Sequence, residues 1–288
     1  MNASNHRSDL RTRDMRRRFD RAANAFDEAD FVHGVTRDGL FERMRPMTAE
    51  AAVVLDLGAA TGNAIPLLQK RFRRARVIAV DSSLRMLQVA RRKRTLLSKR
   101  YTVQGDARAL PFADASVDVV FCNLLLPWLD RPDSVFAEVA RVLRRDGLFA
   151  FSTLGPDSLL EIREAWQAVD GGAHVHRFPD MHDLGDALVR AGLRDPVLDV
   201  DPLAVNYRSS DALFRDLTAT GARNSLRQRQ PGLTSRHRLQ RFVDALFGTG
   251  EECSISFELV YGHCWGGEAR RADGEIAVAA SEIPLRRQ

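Results

Sequence analysis

The sequence predicts an α/β fold, an open and doubly wound parallel sheet with helices on both faces. Three observations predict it. Short, nearly continuous apolar runs of strand length recur through the first half of the chain, as expected of strands buried on both faces. Stretches with helical spacing separate most of these runs, so right-handed crossovers must join the strands. The runs also end on a glycine or a short polar residue, at Asp56 and Gly58, Asp81, Asp106 and Asn123.

The elements follow in order. Phe19, Ala22, Ala23 and Phe26 have helical spacing, as do Phe31, Val35 and Leu40, so one or two N-terminal helices are expected to end near Pro46. Residues 53–58 read as the first strand, with a helix over 63–73; 75–81 read as the second, with a helix over 84–94. Residues 101–106 and 117–123 read as the third and fourth strands, 133–143 as a helix and 148–153 as the fifth strand. After Leu154 the rhythm loosens. Helices are expected over 158–169, 183–191, 210–220 and 236–247, short strands over 196–200 and 203–207, and a last alternating strand over 255–261. The organisation expected is a flexible basic lead-in over 1–18, a single domain over 19–265, and a disordered polar tail over 266–288. Within the domain, 53–154 would form a cofactor-binding core, 155–250 a substrate or cap region, and 255–265 the last strand.

Composition removes several classes. The 288 residues, 44% of them hydrophobic, suffice for a full core and exclude disorder of the whole chain. No apolar run approaches the ~20 residues of a membrane helix. The basic N-terminus lacks the apolar stretch of a secretory signal, and a cytoplasmic location is expected. Cys122, Cys253 and Cys264 give neither a disulfide framework nor a metal knuckle. The net charge of +5 describes a mixed surface. Only Lys70, Lys93 and Lys99 are lysines; the other 40 basic residues are arginine, the side chain that forks onto carboxylates and phosphates.

In a sheet of this type, ligands sit beyond the carboxyl ends of the strands. Asp56-Leu57-Gly58-Ala59-Ala60-Thr61-Gly62 lets the backbone turn tightly under a ligand, with a helix N-terminus behind it. It is not the G-x-G-x-x-G of dinucleotide-binding proteins. An acid precedes the turn instead, which suits a ligand carrying an amine or sulfonium charge. Asp81 is placed to accept both hydroxyls of a ribose, and Asp106 with Ala107 to receive an adenine amine. A strand-end aspartate can also serve merely to cap the next helix. That alternative stands for Asp81 or Asp106 singly and is far weaker for three acids together.

These features resemble the class I S-adenosylmethionine-dependent methyltransferases, whose core residues 53–153 match. Val142 to Phe149 is similar to that family's turn into its fifth strand. Arg18 to Ala23, Asn123 to Trp128, Phe151 to Leu159, His176 to Asp186 and Tyr261 to Trp265 narrow the match. Together they resemble the malonyl-acyl-carrier-protein O-methyltransferases of biotin synthesis, over roughly residues 19–265. The resemblance implies a mostly parallel, seven-stranded Rossmann-like sheet with N-terminal helices and a helical insert before the last strand. It implies S-adenosyl-L-methionine as cofactor and, as partner, an acyl carrier protein whose malonyl thioester is methylated on its free carboxylate; neither nucleic acid nor a membrane span is implied. By the same resemblance Asp56, Gly58, Ala60 and Gly62 would hold the methionine end, Asp81 the ribose, and Asp106 with Ala107 the adenine. Ser82 and Met86 would complete the cofactor site, and Asn123 would face the methyl group.

A carboxylate already ionised at neutral pH needs no general base. Rate would come from alignment and exclusion of water. Arg177 is the candidate to anchor a carboxylate by a forked contact, with a surface salt bridge as its alternative, and Phe26 is the candidate pocket lid. Arg223, Arg227, Arg229, Arg236, Arg238 and Arg241 are expected to steer the acidic carrier, the alternative being a solvated surface. His174, His176, His182 and His263 lack metal-ligand spacing, and no metal is expected. Three positions depart from the family pattern. Ala60 replaces the middle glycine of D-x-G-x-G-x-G, Phe26 replaces a tyrosine, and Pro127 stands before Trp128 where a polar residue is common. They leave open a different small acceptor, such as a quinone, and a non-catalytic relative of the complex I assembly type.

Overall fold

The computed structural model describes residues 10, 12–93, 100–129, 131–226, 234–250 and 252–267. Helix α1 (Thr12–Ala22), a 3-10 turn (Phe26–Ala29) and α2 (Phe31–Met44) precede β1 (Val53–Leu57), α3 (Ile65–Arg71), β2 (Arg76–Asp81) and α4 (Leu84–Arg92). Then come β3 (Tyr101–Gln104), β4 (Val117–Asn123), a 3-10 turn (Leu126–Trp128), α5 (Asp133–Val142) and β5 (Leu143–Leu154). The second half carries α6 (Leu160–Asp170), α7 (Met181–Arg190), β6 (Arg194–Tyr207), α8 (Ser210–Ala219), α9 (Arg236–Phe247) and β7 (Cys253–Trp265).

The seven strands form one sheet in the order β3-β2-β1-β4-β5-β7-β6. β1 to β5 pair in parallel, and β7 runs antiparallel to both β5 and β6. The period of two along each central strand sends alternate residues to opposite cores. Val120, Cys122, Phe149 and Phe151 pack toward Phe136 and Val139 of α5. Val119, Phe121, Leu148 and Ala150 pack toward Leu40 and Met44 of α2, Leu68 of α3 and Leu87 of α4. Removing each such phenylalanine from water contributes roughly 1.5–3 kcal/mol. A separate cluster of Ile162, Leu213, Phe242 and Ile255 consolidates the second half. All three cysteines are buried and unpaired.

Three elements differ from expectation. The two short strands expected over 196–200 and 203–207 are one strand, β6, because pairing to β7 runs on through Asp201↔Leu259 and Pro202↔Glu258. Pro202 lacks an N–H, which an edge strand tolerates. β5 starts at Leu143, directly after α5, since Leu143 already pairs with Val117; Arg144 to Asp146 then leave the ladder, with Asp146 at φ 60. Helix α1 begins at Thr12, inside the expected lead-in, and Leu10 bridges to Leu226 of the second half. Residues 1–9 of that lead-in and 268–288 of the expected tail lie outside the described residues.

Candidate active site

The strand order reverses between β1 and β4, the place where open α/β sheets bind ligands. A cleft of about 310 Å³ opens there. Its floor is the set of strand ends: Gly58 after β1, Asp81 and Ser82 at β2, Asp106 and Ala107 after β3, and Asn123 on β4. Its roof is the N-terminal segment, with Met15, Arg16 and Phe19 of α1, Phe26 of the 3-10 turn and His33 of α2.

The glycine turn is built as its sequence demands. Gly58 has φ +75, and a Cβ there would lie 2.8 Å from Leu125 Cβ. Gly62 has φ +74, but a Cβ would meet Ile65 Cδ1 at 2.7 Å, so this glycine serves the packing under the turn and does not line the cleft. Between them Ala60 lines the cleft at φ 45. That left-handed conformation costs an L-residue about 1–2 kcal/mol.

Asp81 ties two strand ends together. Its Oδ2 accepts the Ala60 N–H at 2.9 Å and its Oδ1 the Ser83 N–H at 2.8 Å. The cap of α4 is Ser83, whose Oγ accepts the Met86 N–H at 3.1 Å, so Asp81 is left as a cleft acceptor. Burial raises its carboxyl above the usual range against the pull of these backbone bonds. Asp56 lies beneath the turn and not in the cleft lining. It is buried, and its Oδ2 has no hydrogen-bond partner. Burial first, and the charge of Asp81 second, push its carboxyl up to about 7, with Arg37 and Arg100 opposing.

Asp106 is not a vacant acceptor. Arg108 donates to it from Nε at 3.0 Å, from Nη2 at 2.7 Å and from its backbone N–H at 2.9 Å. These bonds hold its carboxyl below the usual range. A carboxylate has further lone pairs, so an adenine amine would share Asp106 with Arg108. Asn123 lines the cleft with its amide engaged: Nδ2 donates to the His33 carbonyl at 3.0 Å, and Oδ1 accepts from Ser152 Oγ at 2.7 Å. Ser82 and Met86 line the cleft, and Phe26 packs with Met86, Ala22 and Ala23 as part of the roof.

Other expected positions fall elsewhere. Arg177 is exposed and does not line the cleft. Its neighbours turn inward instead, His176 Nε2 to the Pro127 carbonyl at 2.5 Å and Phe178 into the core, while Arg177 between them faces out. Arg238 pairs with Asp170 and lies over Trp166, and Arg241 Nη2 donates to the Ala168 carbonyl at 3.2 Å. Both are bound back onto α6 and do not project as a docking face. Arg223 and Arg236 are exposed, while Arg227 and Arg229 lie outside the described residues. The sequence reading passed over Arg16 and Arg131, exposed at the cleft rim, and His33 in its wall. The four-, three- and four-residue steps Phe26, Asp30, His33, Arg37 were the available signal, since that spacing puts them on one helical face.

Residues 55–151 match the methyltransferase domain family. The malonyl-[acyl-carrier protein] O-methyltransferase of Halorhodospira halophila is 40% identical over 283 residues, covering 95% of this chain and 96% of that protein. The protein of the same name from Laribacter hongkongensis is 41% identical over 266 residues, covering 89% and 90%. The chain belongs to the malonyl-[acyl-carrier protein] O-methyltransferase family. Solved structures share its fold. The YcgJ protein of Bacillus subtilis superposes with a TM-score of 0.57 at 17% identity, over 80% of this chain and 98% of its own. Phosphoethanolamine N-methyltransferase 2 of Haemonchus contortus, in complex with S-adenosyl-L-methionine, does so with a TM-score of 0.53 at 15% identity, over 86% and 57%. In this O-methyltransferase, no helix among the described residues is long and apolar enough to cross a membrane.

Proposed function

We propose that the cleft binds S-adenosyl-L-methionine and that the enzyme methylates the free carboxylate of a malonyl thioester on acyl carrier protein, early in biotin synthesis and in the cytoplasm. The observation that carries the cofactor reading is the buried Asp56 Oδ2, unpartnered beneath a glycine turn that a Cβ would fill. A buried acceptor of this kind fits the positively charged end of a ligand. The acceptor follows the names of the relatives, which match along nearly the whole chain.

Gly58 and Ala60, with Asp56 beneath the turn and Gly62 packed under it, would hold the methionine end, Asp81 and Ser82 the ribose, and Asp106, Ala107 and Met86 the adenine side, with Asn123 at the methyl. Bound there, the cofactor supplies a sulfonium methyl group. The malonyl carboxylate is ionised at neutral pH, so no residue has to remove a proton. The work of the chain is alignment and exclusion of water. Phe19 stacks edge-on against Trp128 at 5.0 Å over the cleft, and Phe26 closes the roof beside it. Residues 19–265 act as one domain in this reading. The carrier would approach the rim that Arg16 and Arg131 line, with Arg223 and Arg236 as outlying cations.

Calorimetric titration with S-adenosyl-L-methionine, followed by an assay of methyl transfer to malonyl carrier protein, tests the proposal. Absence of cofactor binding overturns it entirely. Binding without transfer to the malonyl carrier overturns the acceptor and favours another small molecule, such as a quinone.

A further inference from the structure

His33 lies deep in the cleft wall, and the reaction just described does not use it. It sits in the first turn of α2 and packs edge-on against Phe26, with ring centroids 4.9 Å apart. Asn123 Nδ2 donates to its carbonyl at 3.0 Å, so β4 fixes its backbone. Its Nδ1 is buried without a hydrogen-bond partner, 3.9 Å from Asp30 Oδ1. With Nδ1 sealed away, a molecule in the cleft meets the ring at its Nε2 edge. Burial lowers the imidazole below its usual range; Asp30 opposes this and Arg37 adds to it. Phe26 packs edge-on against the ring and does not ionise. The ring is therefore neutral at pH 7 and carries one N–H; Nδ1 has no acceptor within hydrogen-bond distance, which assigns that hydrogen to Nε2 when an anion lies against it.

An anionic acceptor finds poor alternatives inside the cleft. Asp81 repels it, Arg108 is already paired with Asp106, Asn123 is bonded to His33 and Ser152, and Arg16 and Arg131 stand at the exposed rim. We propose that His33 holds the methyl acceptor, its Nε2–H donating to one oxygen of the acceptor carboxylate while the other oxygen attacks. This rests on the malonyl reading above. The attacking oxygen forms a bond to the methyl carbon as the carbon–sulfur bond breaks, and that electron pair stays on sulfur. No proton moves, so His33 has to donate a hydrogen bond and never to surrender the hydrogen. The ester formed is uncharged, which weakens the contact and favours release of product.

Binding measurements on the full chain separate this role from a structural one. S-adenosylhomocysteine titrated alone reads the cofactor site; malonyl and acetyl carrier proteins titrated into the loaded protein read the acceptor site with and without a free carboxylate. His33→Ala is expected to raise the Kd of the malonyl carrier about 10- to 100-fold, the loss of a hydrogen bond to a charged group. The Kd values of the acetyl carrier and of S-adenosylhomocysteine are expected to stay unchanged. His33→Gln, which retains a neutral donor, is expected to recover most of the loss and also serves if the alanine variant folds poorly. Equal losses for both carriers, no loss for either, or loss of S-adenosylhomocysteine binding in both variants overturns the proposal alone. A wild-type protein that binds acetyl carrier as tightly as malonyl carrier overturns the malonyl reading, and this proposal with it.

Discussion

The Asp27 carboxylate lies 2.5 Å from Lys93 Nζ, joining the 3-10 turn that roofs the cleft to the end of α4 beneath it. The same carboxylate accepts Thr61 Oγ1 at 2.5 Å and Asn63 Nδ2 at 3.0 Å, which fastens the roof to the glycine turn as well. Burial opposes ionisation of Asp27, but the bonds from Lys93, Thr61 and Asn63 prevail and hold its carboxyl below the usual range. A lowered acid stabilises the fold above its unfolded pKa and loses that contribution as pH falls through the folded value. Asp27→Asn should therefore lower stability at pH 7 by about 0.5–1 kcal/mol, allowing for the partial exposure of the pair. The melting temperatures of wild type and variant should draw together as pH falls from about 4 through the lower folded value. Looser closure should also weaken cofactor binding, read by calorimetry.

Asp56 has the opposite sign. Its carboxyl is raised to about 7, so between about pH 4 and pH 7 the folded chain holds a proton that the unfolded chain has lost. Stability falls across that window as pH rises and is level above it. Asp56→Asn removes this cost. Without cofactor, the variant should melt higher than wild type at pH 8, by about 2–4 °C for each kcal/mol regained, and the two should coincide near pH 4. Cofactor affinity should fall at least about tenfold, because the charge-assisted partner is gone. A variant that binds S-adenosyl-L-methionine as tightly as wild type would remove Asp56 from the site.

The floor of the cleft was legible because its residues sit at the ends of apolar runs, where topology alone places them on one rim. Asp81 and Asn123 stand where strand ends predict. The commitments of those side chains were not legible, since Arg108 on Asp106 and Ser152 on Asn123 depend on three-dimensional contacts. Arg177 faces solvent for a simpler reason: in the irregular segment between α6 and α7, the neighbouring Phe178 takes the place in the core. The strands of the second half were under-read because Pro202 interrupts the pattern, although the ladder to β7 passes through it. His33 was missed because its spacing from Asp30 and Arg37 marks a helical face without saying that this face turns into the cleft.

Ala60 carries the methyl group of its side chain at φ 45, between two glycines. Ala60→Gly relieves a left-handed penalty of about 1–2 kcal/mol and gives back part of it, about 0.5–1 kcal/mol, through the freer unfolded chain. The variant should be about 0.5–1 kcal/mol more stable on balance. Its cofactor Kd should be no higher than that of wild type, since the Ala60 N–H that donates to Asp81 is retained by glycine. Denaturant unfolding and calorimetry check the two halves of this expectation.

Arg16 and Arg131 are exposed and line the cleft, at the rim where the proposed carrier-bound substrate would enter. Such cations act on an acidic partner mainly by steering its approach, an effect that salt screens over about 8 Å at physiological ionic strength. Reversing both, Arg16→Glu with Arg131→Glu, should raise KM for malonyl carrier protein about tenfold at low salt and progressively less as salt is added. The Kd for S-adenosyl-L-methionine should be unchanged. Arg238→Glu should behave differently, because Arg238 is paired with Asp170 and lies over Trp166. A glutamate there faces a carboxylate at close range, so the melting temperature should fall while KM for the carrier, measured on the folded fraction, stays near wild type. If instead the Arg238 variant alone raised KM with a steep salt dependence, the docking face would lie over α6 and α9 and not at the cleft rim.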